Sequence, residues 1–382
     1  MKHIKLFLIA ALVMAATSAC ELVSLDAPEY VARQKTLLVY MVANNNLASY
    51  AKTNINSMME GYLPTEDNLL VYCHATDGNP ILLRLYKNDE GAAVKDTVYR
   101  FPQRNSADPA SLASALKVCR TMYPAEEYGL VLWSHGTGWL PQQYYSKTRS
   151  FGQDEGKEMD IVEMAKAIPF KLDYMIFDAC LMGGIEVAYE LKDSVDYIMA
   201  SPTEVLSDGF PYSKIMEHIF KSSTQLQSVA QEYYNHYNNK GGSSRSATIS
   251  LVKTSELENL AQKAKEIFNK YGHNGNLRNT LVDTTAIQKY YRDKKHWFYD
   301  LGGLMQQLAG DDAAAFNKAL ESAVIYKATT PEFISVKIDP AKFSGLSTYI
   351  PSPKADAELV QYYLKFRWNQ DTGYIQTEEK QQ

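Results

Sequence analysis

The stretch LDYMIFDACLMGGIEVAYEL, residues 172–191, sets a single cysteine where an apolar run ends and a helical pattern begins. Cysteine is among the most buried residue types, so a small core side chain is the plain reading of Cys180. The other reading is a nucleophilic thiol, which needs a histidine within reach. Of seven histidines, His3 falls in an N-terminal signal-like segment, and His218, His236, His273 and His296 fall in helical or polar surroundings that suit surface residues. His74 closes a core-type run and could reach the same edge as Cys180. His135 stands apart, because YGLVLWSHGTGW (128–139) is an apolar run opening into His-Gly-Thr-Gly-Trp. Glycines beside a histidine let the backbone approach a substrate closely and turn an N–H towards an oxyanion. Gly183 and Gly184 predict a tight turn into a helix after Cys180, whose positive end would lower the thiol pKa.

The elements that must position these groups are legible as short runs rich in Val, Ile, Leu and Tyr: 35–43, 68–75, 128–134, 172–179 and 195–201. Continuous apolar runs of this length suit strands buried on both faces. Helical patterns lie between them at 46–60, 109–122, 160–168 and 184–192, the third opened by Asp160 and Glu163 as a capping box. This alternation predicts an α/β fold with a mostly parallel sheet flanked by helices, and residues 80–101 read as an edge hairpin. Ligand sites in such sheets gather at the carboxyl ends of the strands, where His135 and Cys180 both fall. Their strands are neighbours if the 160–168 helix makes a single crossover. After residue 202 the pattern is mainly helical (211–220, 224–238, 254–270, 311–325, 355–367), with strand-like segments at 246–252 and 345–351. The expected organisation is a signal peptide at 1–19, a tether at 20–34, a catalytic core at 35–252 and a smaller C-terminal region at 253–382 packed on that core.

The chain has 382 residues, 46% hydrophobic and 22% charged, and a net charge of −5 that gives no basic footprint for nucleic acid. MKHIKLFLIAALVMAATSAC has a basic start, a short apolar core and a small-residue exit, the form of a secretory signal. The position of Cys20 suggests cleavage just before it and lipidation on it, hence an exported bacterial lipoprotein held to the cell envelope; free secretion is the alternative. Thr17 stands where such signals usually carry an aliphatic residue. Cys73, Cys119 and Cys180 are too few and too irregularly spaced for a disulfide framework or a zinc site. No GxSxG elbow and no HExxH helix occurs.

Together, WSHGTGW (133–139), FDACLMGGIEVAYEL (177–191), SPTEVLSDGFPY (201–212) and LLVYMVANNNL (37–47) resemble the clostripain-family cysteine peptidases, which have a caspase-like fold. His135 lies 45 residues before Cys180, near the spacing of about 50 found in caspases. Weaker likenesses at 247–252, 298–305 and 345–351 extend the resemblance from about residue 36 to 351. Asn44 departs from the Ala-Asp-Asn that commonly ends the family's first strand.

The resemblance implies a His135/Cys180 dyad, in which the thiolate attacks the scissile carbonyl and His135 protonates the leaving amine. Backbone N–H groups of Gly136 and Cys180 would hold the oxyanion. Asp178 lies two residues before the thiol, so strand alternation places it on the same side. A carboxylate at that mouth invites a basic side chain, and Arg could pair with it bidentately; cleavage after Arg or Lys is what similar enzymes do. The plain alternative is an aspartate satisfying backbone amides at a turn. Asp208 is a second acid for the pocket or part of an ordinary SDG turn, and Glu204 is a weaker candidate. Members of the family often cut themselves in a loop such as 140–158, where Lys147 and Arg149 are candidate sites. No cofactor is expected: some similar enzymes respond to calcium, but no EF-hand or oxygen-rich loop is present here. Expected partners are peptides with Arg or Lys at the cleaved position and a membrane through the anchor, with the protein a monomer or two associated self-cleaved chains. Two rival readings stand beside this one, a non-catalytic surface lipoprotein keeping the fold and a peptidase with Asn or Asp specificity.

Overall fold

Five apolar runs become the parallel centre of one large sheet. A computed structural model of the chain describes residues 33–75, 78–141, 151–273, 275, 277–292, 297–352 and 355–376. Its strands are β1 (Arg33–Val42), β2 (Asn68–His74), β3 (Ile81–Lys87), β4 (Ala93–Arg100), β5 (Ala125–Trp133), β6 (Phe151–Asp154), β7 (Lys157–Met159), β8 (Leu172–Asp178), β9 (Val195–Ala200), β10 (Thr248–Lys253), β11 (Tyr299–Asp300), β12 (Val324–Thr329), β13 (Glu332–Phe333), β14 (Val336–Lys337) and β15 (Ser347–Thr348). The nine-stranded sheet runs β12-β10-β9-β8-β5-β1-β2-β3-β4. From β9 to β2 every neighbouring pair is parallel, and antiparallel strands close both edges. The expected edge hairpin is β3–β4, and the expected return of 246–252 to the sheet is β10.

The central residues Leu38, Val39, Leu130, Val131, Met175 and Ile176 are fully or almost fully buried, because helices cover both faces. Among the described residues the helices are α1 (Ala48–Glu60), α2 (Pro109–Met122), α3 (Ile161–Ala167), α4 (Ile185–Leu191), α5 (Tyr212–Ile219), α6 (Leu226–Asn238), α7 (Leu257–Tyr271), α8 (Leu301–Ala309), α9 (Ala314–Ala323), α10 (Ala357–Tyr363) and α11 (Arg367–Thr372). One face packs on α1, α5 and α6; the other carries α2, α3, α4 and the helices after residue 253. Asp160 caps α3 as expected, accepting from the Val162 and Glu163 N–H groups at 2.9 and 3.2 Å.

The C-terminal region does more than pack on the core. It supplies β12 to the sheet, and one apolar cluster runs from Leu38 through Phe177 to Ile375 without a break at 253. Buried Glu186 in α4 ties the two parts together, accepting from Thr348 Oγ1 (2.9 Å), the Tyr349 N–H (2.9 Å) and Tyr363 OH (2.7 Å). Within the segment expected as a loop at 140–158, residues 151–159 form the β6–β7 hairpin.

Candidate active site

β5 and β8 pair in parallel, with Trp133 opposite Asp178, so the chain segments carrying His135 and Cys180 leave the same edge from adjacent strands. The loop after His135 lies directly on the turn after Cys180. A Cβ on Gly136 would stand 2.7 Å from the Cys180 carbonyl oxygen, and one on Gly138 2.5 Å from that of Leu181. Only glycine permits this approach, and Gly138 also has φ +63°. The tight turn expected at Gly183 and Gly184 is instead made at Leu181, whose φ is +63° and whose N–H donates to Thr203 O at 2.7 Å. Gly183 serves a close approach, since a Cβ there would meet the Pro202 nitrogen at 2.5 Å.

His135 and Cys180 line one cavity of about 290 Å³, with Asp178, Glu204, Val205 and Arg292 among its walls. His135 is half-buried, and this burial holds its imidazole below the usual range. Its Nε2 donates to Asn46 Oδ1 at 2.7 Å, which leaves Nδ1 as the acceptor nitrogen of the neutral ring. Asn46 was not singled out from sequence; the signal was the NNN that follows β1 on the ligand-binding edge. Asn45 and Asn44 fasten that corner, the former through Gln153 O (2.7 Å) and the latter through Asp154 Oδ1 (2.7 Å). An aspartate at position 44 would set two carboxylates against each other there, so the family departure at Asn44 has a local reason.

The Cys180 thiol is not the lowered-pKa group expected from the nearby helix. α4 begins five residues later, while the sulfur sits under the 204–206 segment, accepting from the Val205 N–H at 3.3 Å. Burial pushes the thiol up to about 12; the Val205 N–H opposes this, and the Glu204 and Asp178 carboxylates add to it. Val205 is held by its neighbour Glu204, a buried carboxylate gripped by both arms of Arg292 at 2.5 and 2.7 Å. Glu204 is thus structurally engaged rather than offered to a ligand.

Asp178 is 4% exposed, and burial raises its carboxyl to about 6 against the lowering effect of its hydrogen bonds. Oδ2 accepts from the Phe210 N–H (3.1 Å) and Tyr212 OH (2.8 Å), fixing the 209–212 turn. Among the described residues nothing donates to Oδ1, which leaves one oxygen for a ligand where bidentate pairing had been expected. Gly209, at φ +70°, lets the turn close over this carboxylate: a Cβ there would stand 2.6 Å from Oδ2. The structure does not bring Asp208 to the site. Its carboxylate is exposed and paired with Lys240 at 3.3 Å, because the ordinary turn reading holds and Gly209 N–H closes on Leu206 O at 2.9 Å.

His74 turns away as well. Its Nδ1 meets Asp154 Oδ2 at 2.9 Å and Ser106 Oγ at 2.8 Å in a buried cluster that pins β6 to the sheet. β6 in turn holds the histidine loop, through Gly152 N–H to His135 O at 2.9 Å and a bridge between Gly136 and Phe151. Cys119 is buried and Cys73 half-buried; burial raises the Cys73 thiol to about 11 and the Cys119 thiol further. Lys147, Arg149 and Cys20 lie outside the described residues. Among the described residues no group of three His, Cys, Asp or Glu side chains could hold a metal ion.

A mostly parallel sheet with thiol and imidazole at the carboxyl ends of adjacent central strands is the layout of a caspase-like cysteine peptidase. The chain belongs to the clostripain family, whose model matches residues 39–381. Over 219 residues it is 28% identical to clostripain of Hathewaya histolytica, a match spanning 48% of this chain and 42% of that protein's length. An inactive zymogen C11 protease from Parabacteroides distasonis is 33% identical, with a TM-score of 0.78 over 90% of this chain and 99% of that one. A secreted C11 cysteine protease from Bacteroides thetaiotaomicron, solved with an irreversible peptide inhibitor, is 30% identical, with a TM-score of 0.77 over 89% and 98% of the two chains.

Proposed function

We propose that this chain is an endopeptidase that cleaves after Arg or Lys, with Cys180 as nucleophile and His135 as acid–base partner. The observation that carries the reading is the Asp178 carboxylate, which lines the cavity that also holds Cys180 and His135 and whose Oδ1 takes no hydrogen bond among the described residues. A substrate Arg or Lys pairs with this oxygen and sets its carbonyl at the thiolate. The sulfur adds to the carbonyl carbon, and the oxyanion is held by the N–H groups of Gly136 and Cys180. The C–N bond then breaks as His135 gives its proton to the amine, and water hydrolyses the thioester. With one acceptor oxygen, the pocket serves ammonium and guanidinium alike.

The arrangement is a resting one. Burial of the thiol and of the imidazole both work against the charged thiolate–imidazolium pair. Self-cleavage at Lys147 or Arg149 activates the enzyme by loosening what covers the sulfur. Cys20 carries the lipid that keeps the protein at the cell envelope, a point tested by fatty-acid labelling lost in Cys20→Ala.

The deciding experiment is hydrolysis of fluorogenic peptides with Arg, Lys, Asn, Asp or Leu before the cleaved bond, by wild type and Cys180→Ala, with chain length followed on denaturing gels. Cleavage after Arg and Lys by wild type alone, with only Cys180→Ala staying full length, is the expected result. Cleavage after Asn or Asp overturns the role given to Asp178. No cleavage before or after a trypsin nick favours the non-catalytic lipoprotein.

A further inference from the structure

The cavity holding Cys180 does not end at Arg292. That side chain also walls a second hollow of about 430 Å³, which shares Ala286, Ile287, Gln288 and Lys342 with a third of about 690 Å³. One side of the trough is the segment 285–292. The other is the β13–β14 hairpin, which gives Phe333 and Ile334 to the first hollow and Ser335, Val336 and Lys337 to the second. The first two hollows therefore share both walling segments, and a polypeptide leaving the thiol along them would reach the second.

The middle of this path is positively charged in a protein whose net charge is −5. Lys289, Lys337 and Lys342 line the second hollow, and among the described residues none of the three lies in an ion pair. Gln288 holds the backbone beneath them. Its Nε2 donates to Lys289 O (2.8 Å) and Lys337 O (2.9 Å), and its Oε1 accepts from the Asp339 N–H (3.2 Å). Asp339 O accepts from the Lys342 N–H (3.0 Å), so one amide organises all three lysine-bearing segments. Of the acids nearby, Asp283 is hydrogen-bonded to Thr285 and carries a charge that Lys289 stabilises. Asp339 Oδ1 accepts from the Ala341 N–H at 3.0 Å, and Glu204 is paired with Arg292, which removes that cation from the count.

We infer that this trough is a substrate subsite that selects acidic residues a few positions from the cleaved bond, on the side facing the β13–β14 hairpin. The inference rests on the peptidase reading and adds a second determinant to it: a basic side chain anchors the substrate at Asp178, and carboxylates further along meet the three lysines. Each exposed pair contributes modestly, so two together give about a five- to tenfold preference, weakened by salt.

The test uses quenched-fluorescence peptides with a single Arg and otherwise neutral residues, compared with copies in which an Asp-Glu pair is moved through the flanking positions. Wild type is expected to cleave one set of acidic copies five- to tenfold better than the neutral peptide, through KM, with the advantage fading at 0.5 M salt. In Lys289→Glu/Lys337→Glu/Lys342→Glu the acidic-to-neutral ratio falls below one. A ratio near one at every position in wild type, or a ratio unchanged by the triple substitution, overturns the inference. Binding of the same labelled peptides to Cys180→Ala keeps the two readings separate. Tighter binding of acidic copies, lost on charge reversal, supports the subsite even where no peptide is cut, and equal binding of acidic and neutral copies overturns it.

Discussion

Asp178→Asn is expected to separate what Asp178 does for substrates from what it does to the fold. The carboxyl is buried, with a pKa raised to about 6, against about 3.9 for an unfolded aspartate. A folded-state pKa above the unfolded one means that the protonated form is the one the fold favours. The stability this group contributes is whole below about pH 3.9, declines as pH rises towards 6, and is lost above it. Two pH units correspond to about 3 kcal/mol, so at pH 7.5 the ionised carboxylate costs the native state that much. Asn keeps an acceptor for the Phe210 N–H and Tyr212 OH and carries no charge. The variant is therefore expected to unfold at higher denaturant than wild type at pH 7.5, by up to about 3 kcal/mol, and to match it near pH 4.

Activity moves the other way. Closing the pocket on a guanidinium without its counter-charge leaves an unpaired buried cation, at a cost of about 3 kcal/mol or more. The assay compares matched peptides with Arg or citrulline before the cleaved bond, citrulline having Arg's shape without its charge. Wild type should prefer Arg by roughly 100- to 1000-fold, and Asp178→Asn should bring the ratio close to one. Wild-type kcat/KM on the Arg peptide should also fall about tenfold per pH unit below 6, a limb absent from the variant. A variant that is less stable than wild type and keeps the Arg preference would refute the reasoning and return Asp178 to the role of a turn-binding aspartate.

Further outcomes follow from the same geometry. In the uncleaved chain Cys180 should alkylate at pH 8 about a thousandfold more slowly than an ordinary thiol, by the ratio of thiolate fractions at pKa values of about 12 and 8.5, and it should gain most of that rate after cleavage; peptide mapping with iodoacetamide distinguishes it from Cys73 and Cys119, which stay unreactive in both forms. Gly136→Ala forces a methyl to within 2.7 Å of the Cys180 carbonyl oxygen and should lower kcat at least a hundredfold, whereas Gly156→Ala, with nothing within 4 Å, should cost some stability at its φ of +75° and little activity. Peptidase rates and thermal melts on the two variants check this pair.

Much of the sheet was legible because strands buried on both faces write themselves as apolar runs, and those runs predicted β1, β2, β5, β8 and β9 to within a few residues. The edges were less so. Val324–Thr329 directly follows a helix, and only its first two residues fell in the expected helix 311–325 while the rest were assigned to no element; Leu301–Ala309 was missed because Gly302 and Gly303 weaken its pattern. At the candidate site, the meeting of His135, Cys180 and Asp178 around one cavity was legible from residue type and place at strand ends. The covering of the sulfur by Val205 was not, since it depends on a loop 25 residues away and on an Arg292 from the C-terminal region. Nor was the displacement of Asp208, which turns on a pairing with Lys240 that no local pattern announces.

Both ends of the segment carrying Lys147 and Arg149 are fixed to the core, and this bears on what a cut there can do. Upstream, Trp139 is fully buried against Tyr349 and Tyr363, and the Leu140 N–H returns to Thr137 O at 3.3 Å. Downstream, Phe151 is fully buried, and Gly152 and Asp154 are hydrogen-bonded to the histidine loop and to His74. Cleavage between residues 142 and 150 therefore leaves His135 where it is, and any gain in activity has to come from something other than assembly of the dyad. The two pieces would meet along the β5–β8 ladder, where Leu130, Val131, Leu132, Met175, Ile176 and Phe177 are all fully buried. Separating them would expose the centre of the molecule, at an expense comparable to unfolding it. The cleaved protein should run as one species by gel filtration in native buffer and as two chains only in denaturant. Two peaks in native buffer would show that the cut dismantles the sheet, and the dyad could not then be the product of activation.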